Sequence, residues 1–131
     1  MTTRHASCSC GQLSLVAEGE PIRVSMCHCL ACQRRTGSVF GAQARFERDR
    51  INVVGRSSAY VRVGDAGRRC TFHFCPDCGA TVHYRIDDLP DVVGVPVGAF
   101  ADPRFPAPKV SVYEARRHAW VVVPEGAEHF D

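Results

Sequence analysis

The chain has 131 residues and a mass of 14.4 kDa, enough for a single domain with a hydrophobic core. Hydrophobic residues make up 45% of it and charged residues 23%, which excludes a disordered or fibrous protein. The net charge of +2 is too small to predict nucleic-acid binding, and the longest apolar runs, such as residues 92–97, are too short to cross a membrane. We therefore expect one domain over residues 1–131, with a core at about 8–124 and neither nucleic acid nor a membrane as a partner.

Short strands are predicted along most of the chain. Alternating apolar and polar side chains indicate them at 11–17, 22–26, 39–46, 51–54, 59–63, 69–74, 80–86, 92–97, 110–113 and 120–123. The first two are expected to form a hairpin that brings Cys8, Cys10 and Cys27 toward one end of a sheet.

Between these strands the sequence predicts turns and very little helix. Residues 33–37 form one short helical turn that stops at a glycine, and residues 64–67 form a tight turn. Three prolines forbid a regular element across residues 102–109. No segment has a long helical period, so the fold class is mainly β, with short antiparallel strands.

Seven of the eight cysteines stand in three clusters: Cys8-Ser9-Cys10, Cys27-His28-Cys29-Leu30-Ala31-Cys32 and Cys75-Pro76-Asp77-Cys78. No apolar segment of a signal peptide precedes the first of them, so we expect a cytoplasmic protein. Thiols stay reduced there, and clustered cysteines are more often metal ligands than disulfides. The eighth, Cys70, shares a strand pattern with two phenylalanines and is interpreted as a core residue.

Cys75 and Cys78 give the most specific metal-binding signal. A two-residue gap lets the chain curl so that both sulfurs face one point, and Gly79 can take the positive φ with which such a turn often ends. Cys8 and Cys10 can supply a second pair, since residues one apart project to the same face of an extended strand. Four thiolates suit tetrahedral Zn²⁺, so we expect a closed structural site. The alternative is a set of metal-free core cysteines or a disulfide.

Cys27, Cys29 and Cys32 supply three further thiols. Three protein ligands with one position left for another are typical of a reactive zinc site. Three thiolates on Zn²⁺ sum to −1, which makes a weak Lewis acid for water but suits the binding of a substrate thiol. A second structural zinc and a metal-free, oxidation-prone cluster are the alternatives. We expect two zinc sites and up to two zinc ions, with the second site filled either fully or in part. The fourth ligand there is a substrate thiol, a water, His28, His73 or His83.

Arg34 and Arg35 follow the three-cysteine cluster directly. In one interpretation, a guanidinium guides the carboxylate of a substrate toward the metal. In the other, both are solvated charges on a short helix. His28 alternates away from its cysteine neighbours and is expected beside the ligands or at the surface. Trp120 is expected to pack in the core or in a lid.

These cysteines resemble those of the GFA family, the glutathione-dependent formaldehyde-activating enzymes and their centromere protein V relatives. The resemblance is carried by Cys8-x-Cys10-Gly11, Cys27-His28-Cys29-x-x-Cys32-x-Arg34-x-Thr36-Gly37 and Cys75-Pro76-x-Cys78-Gly79, and more loosely by residues 97–103 and Trp120. It implies a zinc-stabilised β-tent fold in which a structural zinc is held by Cys8, Cys10, Cys75 and Cys78. It also implies a second, catalytic zinc, close to bound glutathione, held by Cys27, Cys29 and Cys32.

Three functions follow from this resemblance. The first is that of an S-(hydroxymethyl)glutathione synthase, a carbon–sulfur lyase acting on glutathione and formaldehyde. The second is a non-catalytic module that binds or carries glutathione or another small thiol. The third is a zinc-stabilised structural interaction domain, although the chromatin-associated relatives rely on basic extensions that this sequence lacks. Methionine sulfoxide reductases share the fold but need a nucleophilic cysteine toward the C-terminus, and no cysteine follows Cys78 here.

Overall fold

The computed structural model describes residues 1–64 and 66–131, and this part of the chain is mainly β, as predicted. Its single α-helix is α1, Leu30–Thr36, and three short 3₁₀ turns lie at Arg48–Arg50, Val97–Phe100 and Glu114–Arg116. The strands are β1 Thr3–Ser7, β2 Ser14–Glu18, β3 Arg23–Cys27, β4 Gly41–Glu47, β5 Ile51–Val54, β6 Ser58–Val63, β7 Arg69–Phe74, β8 Thr81–Ile86, β9 Val92–Pro96, β10 Val110–Val112 and β11 Glu128–His129.

The strands form two sheets. The smaller has the order β1-β2-β5 and is antiparallel throughout. The larger has the order β11-β10-β3-β4-β9-β8-β7-β6 and is antiparallel except where β10 runs parallel to β3 and β11.

The prediction that residues 11–17 and 22–26 form a hairpin is wrong, because the corresponding strands β2 and β3 lie in different sheets. The connection between them is held at both ends by different partners. Gly19 N–H donates to the carbonyl of Thr2 beside the small sheet, at 2.7 Å. Ile22 N–H donates to the carbonyl of Arg45 in the large sheet, also at 2.7 Å. The chain therefore crosses between sheets instead of reversing within one.

Alternating side chains of both sheets bury one hydrophobic core. Leu15 and Ala17 of β2 belong to the same core cluster as Ala44 and Phe46 of β4, and all four side chains are essentially inaccessible to water. Each fully buried large apolar side chain contributes about 1.5–3 kcal/mol relative to its exposed state. Cys8 and Cys75 belong to the same core cluster, and the predicted burial of Cys70 is confirmed in a smaller one. The first cysteines of two metal-binding motifs thus lie where the sheets meet.

The structure near both chain ends differs from the prediction. Residues 120–123 do not form a strand, because Val121 N–H donates to the carbonyl of His118 at 3.0 Å and closes a turn. Trp120 is 71% exposed there, so it packs neither in the core nor under a lid. At the other end the polar stretch of β1 pairs with β2, although its sequence gave no strand signal.

The predicted turn at residues 64–67 is closed by Gly67 N–H donating to the carbonyl of Gly64 at 2.9 Å, while Asp65 within it lies outside the described residues. Among the residues described, no helix is long and apolar enough to cross a membrane.

Candidate metal centres and the cleft beside them

The first candidate centre, the four-cysteine cluster, consists of Cys8, Cys10, Cys75 and Cys78. Their four sulfurs all lie within 4.8 Å of one another. The Sγ–Sγ distances Cys8–Cys10 and Cys10–Cys75 are both 3.7 Å. A tetrahedral zinc with Zn–S bonds of about 2.3 Å places its sulfurs about 3.8 Å apart. The donor set and its spacing therefore fit a zinc ion.

Two turns bring these sulfurs together. Cys8 and Cys10 lie in a turn after β1, where Cys8 N–H donates to the carbonyl of Leu13 at 2.9 Å. The two thiols thus meet through a turn and not, as expected, through alternation along a strand, because β1 ends at residue 7. In the second turn Gly79, at φ +82°, donates its N–H to the carbonyl of Cys75 at 2.8 Å. The positive φ predicted there is confirmed.

Hydrogen bonds to the sulfurs favour the thiolate form of Cys75 and Cys78. At Cys10 the backbone hydrogen bond from Gln12 is outweighed by burial and by the neighbouring thiols, which raise the pKa of Cys10 to about 11. The side-chain amide of Gln12 donates to Cys75 Sγ at 3.0 Å, and Asp77 N–H donates to the same sulfur at 3.3 Å. Burial raises the pKa of the Cys75 thiol, but these donors and the Cys78 amide outweigh it and lower that pKa to about 6. The sequence did not reveal Gln12. Its only signal is a polar residue in the turn that follows the first cysteine pair.

The second candidate centre, the three-cysteine cluster, consists of Cys27, Cys29 and Cys32. Cys27 ends β3, Cys29 is the N-cap of α1, and Cys32 lies in the first turn of that helix. The helix therefore starts at Leu30, earlier than the helical turn predicted at 33–37. All three sulfurs lie within 4.8 Å of one another, so the structure brings together the thiols that the sequence grouped.

The pKa values of Cys27 and Cys29 are shifted in opposite directions. Hydrogen bonds from Cys27 and Cys32, including Cys32 N–H at 3.3 Å, lower the pKa of Cys29 to about 2. The same interactions with Cys29 and Cys32 raise the pKa of Cys27 above its ordinary value. The thiolate form is therefore favoured at Cys29 and disfavoured at Cys27. A cation that binds all three sulfurs would stabilise all three thiols as thiolates. Divalent metal ions with an affinity for sulfur ligands, such as Zn²⁺, bind thiolates in this way.

The histidines considered as fourth ligands point elsewhere. His28 is fully buried, contrary to a surface position, and its Nε2 lies 2.9 Å from Ser111 Oγ of β10. His73 and His83 stack on each other across β7 and β8 with ring centroids 4.5 Å apart. Within the described chain, only cysteines contribute ligand atoms to the three-cysteine cluster. The fourth ligand of a tetrahedral ion there would come from outside that group.

A cleft of about 540 Å³ lies next to the three-cysteine cluster. Arg34 and Arg35, singled out in the sequence, both line it, together with Ala31 between two of the cysteines. The other lining residues come from β6, β7, the turn after Cys78 and the start of β8, namely Tyr60, Arg62, Phe72, Phe74, Gly79 and Thr81. The cleft therefore runs between the two centres and is cationic and aromatic in character.

Two arginines are held against one aromatic side chain in this cleft. The guanidinium carbons of Arg35 and Arg62 lie 5.3 Å and 5.1 Å from the ring centroid of Phe72, within the range of cation–π attraction. Phe72 is supported from behind by Tyr84, whose ring centroid is 5.3 Å away. The Tyr84 ring in turn occupies the space that a side chain on Gly94 would need. The cleft wall is thus a packed stack, which holds its cations in place.

The charge of Arg62 acts on the three-cysteine cluster. Burial would lower the pKa of its guanidinium, but the negative charges of Cys32 and Cys29 raise that pKa overall. Arg35 is fixed differently, by the carboxamide of Gln43, whose oxygen accepts a hydrogen bond from it at 3.1 Å when the amide is oriented to satisfy both ends. Sequence reasoning missed Arg62, because only the pairing of β6 with β7 brings it to this wall.

Comparison with known proteins identifies the family of this chain. A model of the family described as glutathione-dependent formaldehyde-activating enzyme (GFA) matches residues 3–116, which include both cysteine clusters. The chain belongs to the GFA family. No curated protein matched it in a sequence comparison. Among solved structures, a Rhodobacter sphaeroides protein from structural genomics is similar, with 24% identity over 76% of this chain and 92% of that one and a TM-score of 0.57. That likeness supports the fold alone.

Proposed function

We propose that this GFA-family protein is a zinc-dependent S-(hydroxymethyl)glutathione synthase, which joins glutathione or a closely similar thiol to formaldehyde. The observation that carries the proposal is the three-cysteine cluster beside a cleft lined with arginines. The four-cysteine cluster would hold a structural zinc, and Cys27, Cys29 and Cys32 a second one. Zinc bound to three thiolates would favour the thiolate form of a substrate thiol, the nucleophile that this reaction needs.

The side chains of the cleft suit a thiol that also carries carboxylates. Glutathione has two carboxylates, and Arg35 and Arg62 present guanidinium groups whose planar donors match them. Arg34 adds a third cation at the rim. Phe72 and Phe74 supply apolar contact for the body of the substrate and exclude water from one side. Arg62 also offsets the net charge of −1 that three thiolates on Zn²⁺ would have.

The proposed reaction balances without any further reactant. A carbon–sulfur bond forms between the thiolate sulfur and the formaldehyde carbon, and the π bond of the carbonyl breaks. The proton that the thiol gave up ends on the former carbonyl oxygen. The contribution of this chain is to hold the thiol where the aldehyde can reach it, so catalysis would come from orientation more than from acid–base chemistry.

One observation favours a second candidate, a binding or carrier module for small thiols. Among the described residues lining the cleft, there is no carboxylate and no histidine that could act as a general acid or base. A carrier would use the same cluster and the same arginines without accelerating the reaction.

Calorimetry and a rate measurement test both candidates. We expect wild-type protein to bind glutathione, Cys29→Ala to lose binding, and Arg62→Met to bind about tenfold more weakly, or about 1.4 kcal/mol. Arg56→Met is the matched control, since Arg56 is an exposed arginine paired with Asp77 near the four-cysteine cluster. It should bind glutathione like the wild type.

The rate of adduct formation then separates the enzyme from the carrier. Because formaldehyde and glutathione combine without a catalyst, the adduct is followed by NMR with and without protein. Acceleration by the wild type that is lost in Cys29→Ala supports the enzyme. Binding without acceleration supports the carrier. Failure of the wild type to bind glutathione refutes the synthase and a glutathione carrier, and favours a structural interaction domain.

A further inference from the structure

Strand β6 forms one edge of the eight-stranded sheet. It pairs with β7 on one side, and no described strand pairs with its other side. Its side chains at this edge are largely apolar, with Tyr60 62%, Val61 42% and Val63 56% exposed. Free edges are usually protected by lysine, proline, a bulge or very short length. This strand has six residues without a lysine or a proline, and Arg62 is its single charge.

The turn between β6 and β7 determines which backbone groups face outward. Gly64 N–H donates to the carbonyl of Arg68 at 2.7 Å, directly beyond the last paired residues of the two strands. Hydrogen-bonded and non-bonded pairs alternate along an antiparallel ladder. Even-numbered residues of β6 therefore bond to β7, whereas Ala59, Val61 and Val63 direct their N–H and C=O groups away from the sheet. These groups form a free row of donors and acceptors.

We propose that β6 pairs antiparallel with β6 of a second copy of this chain, around a two-fold axis that passes through Val61. In this register Val61 lies opposite Val61, and Ala59 lies opposite Val63. Every outward N–H and C=O of these three residues then finds a partner. Moving the axis to Tyr60 would leave the groups of Val63 without a partner inside the strand, so the Val61 register satisfies more of the backbone.

The side chains of the strand agree with this register. On the face that lines the cleft, Tyr60 of one copy lies opposite Arg62 of the other, which allows a cation–π contact and keeps like charges apart. On the opposite face Ala59, Val61 and Val63 of both copies form one apolar stripe. The edge is thus complementary to itself in backbone pairing, in charge and in hydrophobicity, and a second copy is the partner that it fits.

The pairing has a consequence for the cleft. Tyr60 and Arg62 both line it in one copy, so the second copy would place its own tyrosine beside Arg62 at the rim. The two clefts of the dimer would then share a wall. This inference goes beyond the proposed function and is independent of it, because it concerns the assembly that surrounds the cleft and not the reaction.

Sedimentation velocity across a concentration series tests the dimer. We expect wild-type protein to sediment at twice its 14.4 kDa mass. Val61→Pro removes an N–H that bonds nothing within one copy, so it should fold, by circular dichroism, but sediment as a monomer. Val61→Lys should do the same, whereas Val122→Lys, at another exposed valine, should remain dimeric. A monomeric wild type, or a dimeric Val61→Pro, refutes the proposal.

A charge exchange at Tyr60 tests the register. Tyr60→Glu places a carboxylate opposite Arg62 of the second copy and should preserve the dimer, whereas Tyr60→Lys places like charges together and should dissociate it. An axis at Tyr60 would bring two glutamates together instead, so dissociation of Tyr60→Glu would refute the Val61 register. Persistence of the dimer in Tyr60→Lys would also refute it. Since mass is the readout, neither result depends on thiol binding.

Discussion

The two cysteine clusters differ less in exposure than in what they connect. In the four-cysteine cluster Cys10 and Cys78 are exposed, whereas in the three-cysteine cluster only Cys29 is even partly accessible. Burial therefore does not mark one as structural and the other as reactive. What the four-cysteine cluster does is join a turn after β1 in the small sheet to a turn after β7 in the large one.

The three-cysteine cluster connects much less. Its members lie within six residues of one another at the junction of β3 and α1, so a metal there would close only a short loop. Four thiolates complete a tetrahedron and link distant parts of the chain, which makes metal binding part of folding. Three thiolates leave a position for a ligand beside a cationic cleft. The number of sulfurs and the length of chain they enclose distinguish the two clusters.

The loss of one ligand from the four-cysteine cluster is expected to have the largest effect on stability. Cys75→Ser removes one of four ligands from the site that joins the sheets, and structural zinc contributes about 10–16 kcal/mol in small zinc domains. Total stability of a domain is about 5–15 kcal/mol, so we expect loss of cooperative unfolding and of zinc. Cys29→Ala should instead keep the fold, with one zinc ion bound. Circular dichroism and elemental analysis measure both.

Two outcomes would contradict that contrast. If Cys29→Ala unfolds as Cys75→Ser does, both clusters are structural and the proposed thiol site is lost. If folded wild-type protein contains no zinc, the metal assignment fails for both clusters.

Replacing Gln12, which contacts a ligand of the four-cysteine cluster without being one, is expected to have a smaller effect. The Gln12 amide donates to Cys75 Sγ at 3.0 Å and to the Arg56 carbonyl at 2.8 Å. Losing such a partner of a ligand commonly costs 10–100-fold in metal affinity, so Gln12→Ala should lose about that much in chelator competition at this site. Its binding of glutathione should stay unchanged.

Gln33 offers the matched control. Its amide donates to the His28 carbonyl at 2.9 Å, a bond of the same kind beside the three-cysteine cluster. Gln33→Ala should leave the zinc affinity of the four-cysteine cluster as it is. Equal losses in the two variants would show that Gln12 acts through general stability and not through Cys75.

The convergence of thiols within each cysteine motif was predictable because it depends on local spacing. A two-residue gap followed by a glycine, as at Cys75, Cys78 and Gly79, sets the turn almost by itself, and the turn has the expected positive φ. The mainly β class was equally accessible, since alternation of side chains is read over a few residues. These features need no knowledge of which strand lies beside which.

The cleft could not be predicted because it depends on long-range pairing. Arg62 reaches Phe72 only through the register of β6 on β7, and Arg35 reaches the same ring from α1. The false hairpin has a similar cause, since alternation in β2 and β3 says nothing about which sheet each joins. Trp120 was misplaced because hydrophobicity alone does not say whether a turn leaves a side chain exposed.

The smallest expected effect is the loss of stability in acid that comes from His83 in the large sheet, as distinct from the loss that comes from the cysteine clusters. Burial, followed by the charges of His73 and Arg85, lowers the pKa of His83 to about 4. An unfolded chain binds this proton near pH 6.5, so between pH 6.5 and 4 the unfolded state holds more protons than the folded one. Stability from this source is therefore complete above pH 6.5 and is lost as the pH falls toward 4.

Urea unfolding at pH 7 and pH 5 measures this loss. His83→Gln should lose less stability over that interval than the wild type, by about 1 kcal/mol after allowance for the partial exposure of the side chain. Acid also protonates cysteine thiolates and weakens metal binding, but that loss is common to both proteins and cancels in the difference. His5→Gln, at an exposed histidine of β1, should match the wild type. If His83→Gln loses as much stability as the wild type, the acid sensitivity of the protein comes from its thiolates and not from this half-buried histidine.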